Sequence, residues 1–394
     1  MKIEKSNYLN SLDPYAFAEI DKARKEAEKK YPKDILDFGV GDPTEPTPAV
    51  AVVEGIKEAV MNPEDGYPSY EGEGRFREAI SHWFEKRFSV DLNPEKEITA
   101  TLGSKQTVFT LPMAFADSGD SVLIPDPGYP PYTTGAKQRN AKPEYLPLRE
   151  ENDFLPKLKE VDRKTAENAK IMWINYPNNP TTKIAPQKFL KEAIDFCEEN
   201  DIILISDEAY SEMYYEENQK PISLFNIEGG MENGLVIHSL SKRSNMTNYR
   251  IGFVVGREEI LTPFKEVQTN IHSGQSQILQ SAAIGALSDE KHVEEMRKTY
   301  REKRRTLLPA LEKAGFEKVY SEGTFYLWAK TPESKRSVKV VKRMLDNIGI
   351  NATPGEVLCK TNDDGKNFVR FALVPPSKKI EEAAERLKKK DTFE

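Results

Sequence analysis

The feature that most constrains this chain is an alternation. Short β-branched runs recur between helix-length amphipathic stretches, and most runs end in a polar segment rich in Gly, Pro or Ser. The runs fall at 97–101, 121–124, 170–175, 202–206, 234–238 and 251–255, and helical stretches include 74–87, 186–200 and 289–314. Strands alternating with covering helices predict an α/β fold with a mainly parallel central sheet. In open sheets of this kind ligands collect at the carboxyl ends of the strands. That is where LGSK, PDPGY, NYPNNPT, SDEAY and HSLSK lie. From about Asp289 the pattern becomes a long charged helix followed by the strand-like EGTFYLWAK. The expected division is therefore an N-terminal arm over 1–41 that joins a small domain, a large domain over 42–288, and a small α/β domain over 289–394.

Composition removes several function classes. With 394 residues and 38% hydrophobic content the chain has the makings of a large globular core. No apolar run approaches the roughly 20 residues that cross a bilayer. The segment MKIEKSNYLNSLDPYAF offers neither an apolar stretch nor a small-residue cleavage site, so a cytoplasmic protein with no membrane partner is expected. Two cysteines make neither a disulfide framework nor a metal site, and Cys197, within FLKEAIDFCEEN, reads as a core thiol. The four histidines show no ligand spacing, and no metal is expected. A net charge of −7 disfavours nucleic acid as a partner.

The most specific constellation is HSLSKRSNMTNYRIG at 238–252. A lysine that condenses with an aldehyde must reach it unprotonated and so needs a depressed pKa. The hydroxyls of Ser239 and Ser241 and the guanidinium of Arg250 are suited to grip a phosphate, and Arg250 also lowers the proton affinity of Lys242. A lone Ser-x-Ser-Lys is ordinarily a solvated loop. The arginine eight residues on, with Gly252 opening a strand, selects the chemical reading. In LISDEAY, Asp207 ends a strand and Tyr210 follows three residues later. A carboxylate beside a pyridine nitrogen keeps that ring protonated and makes it an electron sink, although the same Asp207 equally well caps a following helix. NYPNNPT is a turn by composition, within which Asn179 offers a side-chain amide. LGSKQ places Ser104 at a helix start, where amides and a hydroxyl receive phosphate. PDPGYP puts Tyr129 on a rigid loop, for packing or for stacking on a planar heterocycle.

Taken together and in this order, from Tyr15 to Arg370, these segments resemble the class I/II aminotransferases of fold type I. The resemblance implies pyridoxal 5′-phosphate as cofactor, with Lys242, Asp207 and Tyr210 as catalytic residues. It implies that Lys242 joins the cofactor aldehyde, that Asp207 pairs with the pyridine nitrogen, and that Asn179 and Tyr210 contact the ring hydroxyl. Ser104, Lys105, Ser239, Ser241 and Arg250 would bind the phosphate, with Tyr129 stacked on the ring. Tyr67, in GYPSYEG, resembles the tyrosine that reaches the cofactor phosphate of a partner subunit, which implies a homodimer with shared sites; Tyr70 is the second choice. Arg370, in NFVRF, is similar to the arginine that clamps the substrate α-carboxylate, and Gly41, in FGVGDP, to the glycine whose backbone meets it. Tyr129 and Asn179 would also face the substrate.

Two positions depart from the family. Thr182 and Asn248 stand where glycine is usual; a β-branched residue suits positive φ poorly, whereas asparagine tolerates it. Within the class, Tyr15 in DPYAFAEID and the segments 66–72, 102–105, 175–181 and 270–274 are similar to LL-diaminopimelate aminotransferases, and SLSKRSN is similar also to N-succinyl-diaminopimelate aminotransferases. The implied reaction is ping-pong transfer of an amino group to 2-oxoglutarate in amino-acid biosynthesis. LL-2,6-diaminopimelate of the lysine route is the favoured donor, with Tyr15 and Lys105 as polar partners for its distal end. Alternatives are an N-succinyl-LL-diaminopimelate, aspartate or aromatic aminotransferase. More remote are a lyase on the same cofactor and an aminotransferase-like regulator, for which the chain before Gly41 is too short to hold a DNA-binding domain.

Overall fold

The structure is a computed structural model that describes residues 3–12, 25, 29, 35–64, 66–361 and 363–388. Tyr15 lies outside the described residues. Among the described residues the central sheet has seven strands: β2 (Ile98–Thr101), β3 (Ser121–Asp126), β4 (Lys142–Pro147), β5 (Ala169–Asn175), β6 (Ile203–Asp207), β7 (Gly234–Ser239) and β8 (Gly252–Gly256). Their order is β2-β8-β7-β6-β5-β3-β4. Only β8 runs against its neighbours; the remaining pairs are parallel.

The middle strands are apolar on both faces because both faces are covered. Along β6, Leu204 packs on one face of the sheet and Ile205 on the other, as the two-residue period of a strand requires. The helix Gln187–Glu199 follows Pro186, whose fixed φ suits a helix start, and buries Phe189, Leu190, Ala193, Ile194 and Cys197 along one stripe. Each fully buried large apolar side chain contributes about 1.5–3 kcal/mol, and the stripe packs the helix into the apolar core on that face of the sheet. Cys197 is the core thiol its pattern predicted.

A second core gathers Leu36 and Phe38 with residues from Val293 to Leu387. Strand β1 (Leu36–Asp37) pairs in parallel with β11 (Ile350–Asn351). Beside them β12 (Thr353–Pro354), β13 (Phe368–Ala372), β10 (Tyr326–Lys330) and β9 (Lys318–Tyr320) form an antiparallel sheet in that order. The helix Lys291–Lys313 covers this core with Val293, Met296, Tyr300, Leu307 and Leu311, and with the buried Lys303 between them the stripe steps by three and four residues. Ala209, Tyr210 and Met213, just beyond β6, pack into the same core. The loop after β6 therefore links both cores, and the site forms there.

Candidate active site

Register brings the chemistry together. Asn175 and Asp207 are direct partners at the ends of β5 and β6. The Asn175 side chain donates to the Asp207 carbonyl at 2.8 Å and accepts from the Asn179 amide at 3.0 Å, tying the two loops to each other. A cavity of about 240 Å³ opens above them. Eight of the residues expected in the site line it: Gly41, Ser104, Tyr129, Asn179, Asp207, Tyr210, Lys242 and Arg370. A larger surface groove of about 1230 Å³, between 152–160 and 186–199, touches none of them.

Lys242 sits on the single helical turn Leu240–Arg243 that follows β7. Its Nζ donates to the Gly41 carbonyl at 2.8 Å and lies 5.2 Å from the Phe325 ring centre. Burial pushes the amine down to about 8; Asp42 opposes this, while Arg370 and Arg250 reinforce it. Arg250 thus contributes as the sequence implied, though behind burial and Arg370.

Asp207 is buried at the cavity floor. Tyr132 donates its hydroxyl to Oδ2 at 2.7 Å, and the Ala209 amide donates to Oδ1 at 3.2 Å. Burial raises its pKa, and these two donors hold the rise back. The residues after Asp207 form a turn rather than a helix, so it caps no helix. Tyr210 shares a 3.1 Å hydrogen bond with Tyr326 through their hydroxyls.

Arg370 has no exposed surface beyond the cavity it borders. Its Nη1 donates to Asn179 Oδ1 at 2.8 Å, its Nη2 to the Gly39 carbonyl at 2.8 Å and to Thr353 Oγ1 at 3.2 Å. The guanidinium carbon stands 4.3 Å from the Tyr326 ring centre, within cation–π range. A Cβ built on Gly41 would fall 2.1 Å from the Tyr326 hydroxyl, so any larger residue there must displace that hydroxyl.

The other expected residues lie around this cavity. Ser239 and Ser241 are buried on either side of Leu240, and Ser239 Oγ accepts from the Ser241 amide at 3.2 Å. Lys105 and Arg250 border an adjoining, mostly apolar cleft of about 580 Å³. Lys105 is exposed there and does not line the cavity, contrary to a direct place against both cofactor and substrate. Tyr67 is 91% exposed and reaches nothing in its own chain's cavity.

At the two departures from the family, Thr182 takes the left-handed conformation that glycine usually supplies, with φ 67°. Asn248 does not: it lies in the 3-10 turn Thr247–Tyr249, and Asn245 and Arg250 carry the positive φ instead.

Sequence reasoning missed five lining residues: Val40 and Ala209, and three with polar side chains, Tyr132, Tyr326 and Asn175. Tyr132 could have been found one helical turn beyond Tyr129, on the same helix start. Asn175 ends the strand before a turn already singled out. Tyr326 carries no local signal, since its place depends on β10 pairing with β13.

This arrangement fits pyridoxal 5′-phosphate. The donors reaching Asp207 are neutral, and a buried carboxylate so held favours a cationic partner such as a protonated ring nitrogen. Asn179 and Tyr210 offer polar groups for a ring hydroxyl, Tyr129 offers an aromatic face, and Lys242 offers an amine shifted towards its neutral form.

The family described as "Aminotransferase class I and II" matches residues 33–387. The chain is 44% identical, over 98% of both chains, to a protein of Aquifex aeolicus named LL-diaminopimelate aminotransferase. It is 40% identical, over 99% of both, to a protein of that name from Halothermothrix orenii. Among solved structures it is similar to substrate-bound BacF of Bacillus subtilis, with TM-score 0.91 and 32% identity over 98% of this chain and 97% of that one. With the family matched across almost its whole length and a cavity that suits the cofactor, the chain belongs to the class I and II aminotransferases, fold type I enzymes that work with pyridoxal 5′-phosphate.

Proposed function

We propose that this aminotransferase takes LL-2,6-diaminopimelate as its amino donor and 2-oxoglutarate as acceptor, in a ping-pong cycle run by a homodimer. The observation that carries the donor assignment is the 44% identity, across 98% of both chains, to a protein named LL-diaminopimelate aminotransferase.

In this reading Arg370 binds the α-carboxylate through both oxygens, a task for which a planar guanidinium is suited. The Gly41 backbone meets the same carboxylate. The bound cofactor supplies an electron sink for the charge left at the α-carbon. Lys242 takes the α-proton in its neutral form and later returns it. Asp207 holds the ring nitrogen protonated, and Asn179 and Tyr210 hold the ring hydroxyl. Ser104, Ser239, Ser241 and Arg250 hold the phosphate, with Tyr67 of a second copy reaching it from outside. The donor's distal ammonium and carboxylate need polar partners beyond Arg370, and Tyr15 is assigned that role.

A donor panel with 2-oxoglutarate tests the substrate. A site built to pair a polar group rejects analogues that lack it by a factor on the order of 10⁴. The kcat/KM for LL-diaminopimelate should exceed that for aspartate, alanine or tyrosine by about this much. A win for aspartate or an aromatic amino acid replaces this reading with the broad-specificity one, and activity confined to the N-succinylated donor replaces it with the acylated one.

A further inference from the structure

Arg250 occupies a left-handed backbone conformation, φ 50°, which L side chains rarely adopt. Its guanidinium lies against the turn that opens the helix bearing Ser104, for a Cβ on Gly103 would stand 3.1 Å from Nη2. Nη1 donates to the Thr247 carbonyl at 2.8 Å. The backbone is held from elsewhere: Gln275 Nε2 donates to the Arg250 carbonyl at 2.7 Å. Gln275 is itself buried, 2% exposed, and its Oε1 has no hydrogen-bond partner among the described residues.

Gln275 is fixed in turn. Its carbonyl accepts from Gln280 Nε2 at 2.5 Å, and Gln280 Oε1 accepts from the Glu73 amide at 2.7 Å. A continuous set of hydrogen bonds therefore runs from Glu73, at the start of the helix Gly74–Phe88, to the backbone of Arg250. Burying a glutamine amide is costly unless its groups are paired. Here the side chain leaves its oxygen unpaired and places its donor on one carbonyl, at a residue held in the left-handed conformation.

We propose that Gln275 is a positioning residue for the cofactor phosphate: its amide fixes the left-handed turn at Arg250 and so aims the guanidinium. The inference rests on the reading of Arg250 as a phosphate residue. Gln275→Met keeps the length and volume of the side chain and removes the donor. With the full-length apo protein, equilibrium titrations of pyridoxal 5′-phosphate and of unphosphorylated pyridoxal separate the roles. One lost hydrogen bond corresponds to about tenfold in affinity. Gln275→Met should raise the Kd for pyridoxal 5′-phosphate about tenfold and leave the Kd for pyridoxal unchanged. Equal weakening of both, as a packing role would give, overturns the inference. In an Arg250→Ala background, Gln275→Met should add nothing to the loss, because the two residues act as one unit. Additive losses overturn it as well. Should Gln275→Met not fold, Gln275→Glu keeps the size and polarity, lacks the donor when ionised, and is read by the same ratio. If Arg250→Ala leaves the ratio of the two affinities unchanged, the phosphate reading of Arg250 falls and the inference with it. If Arg250→Ala lowers that ratio and neither Gln275 variant does, the inference alone falls.

Discussion

Lys242 carries a prediction whose size follows from its surroundings. Burial lowers its amine from 10.5 to about 8. At 1.36 kcal/mol per pH unit this corresponds to about 3 kcal/mol against the charged form. At pH 7 about one amine in ten is then neutral, roughly 300-fold more than for an unperturbed lysine. The same shift destabilises the folded apo protein, with a definite sign. Below pH 8 both folded and unfolded chains hold the proton, and the folded state carries the full penalty. Between about 8 and 10.5 the unfolded chain keeps the proton and the folded chain has lost it, so this group's contribution to stability improves as pH rises. Above 10.5 the penalty is gone.

Lys242→Met removes the titrating group. Relative to the parent, apo Lys242→Met should gain stability at pH 7, and about 3 kcal/mol of the difference should disappear as pH rises from about 8 to 10.5. Loss of the hydrogen bond to the Gly41 carbonyl adds an offset that does not vary with pH in this window. Urea unfolding of both apo proteins across this range measures the difference. The rate of reductive methylation at Lys242, followed by peptide mapping, should rise tenfold per pH unit and level off near pH 8. A stability difference that stays flat with pH, or a methylation midpoint near 10, refutes the argument.

Three further outcomes are expected. Asp207→Ala should slow the half-reaction with the amino donor by roughly 10²-fold or more, well beyond its effect on cofactor affinity; rapid mixing that finds a near-parental rate contradicts its role at the ring nitrogen. Gly41→Ala must displace the Tyr326 hydroxyl, at a cost of about 1–3 kcal/mol; thermal unfolding should show a lowered Tm and kinetics a raised KM, and no change in either removes the close contact from consideration. Mixing inactive Tyr67 and Lys242 variants should restore some activity through hybrid sites, and none despite proven subunit exchange counts against sharing.

The central sheet was legible because a strand covered on both faces must be apolar throughout. The runs at 202–206 and 251–255 lie within one residue of β6 and β8. What composition does not encode is direction, and β8 runs antiparallel between β2 and β7. Strand β4 was missed for a related reason. KPEYLP carries two prolines and two charged residues, which an edge position tolerates, and among the described residues β4 pairs with β3 alone. Of the site, the parts at strand ends were readable, since consecutive parallel strands set their carboxyl ends side by side. Asp207, Asn179 and Lys242 meet for that reason.

Contacts between the two cores were not readable, and Tyr326 and Thr182 show why. Tyr326 reaches the cavity only because β10 and β13 pair with Trp328 opposite Arg370. That register puts Tyr326 diagonal to Arg370 on the same face, within reach of a long side chain. No local pattern in EGTFYLWAK states this. Thr182 shows a local rule outweighed. A left-handed β-branched residue costs about 1–2 kcal/mol. Its amide donates to the Asn178 carbonyl at 2.8 Å, its carbonyl accepts from the Gly323 amide at 2.8 Å, and its Oγ1 accepts from the Glu322 amide at 3.2 Å. At about 1 kcal/mol net for each hydrogen bond, these offset the strain. Two of the three come from residues 322 and 323, just before β10. The hydroxyl that glycine lacks thus fastens the Asn179 loop to the segment that delivers Tyr326, and a turn that looks unsuited in sequence is suited by a contact some 140 residues away.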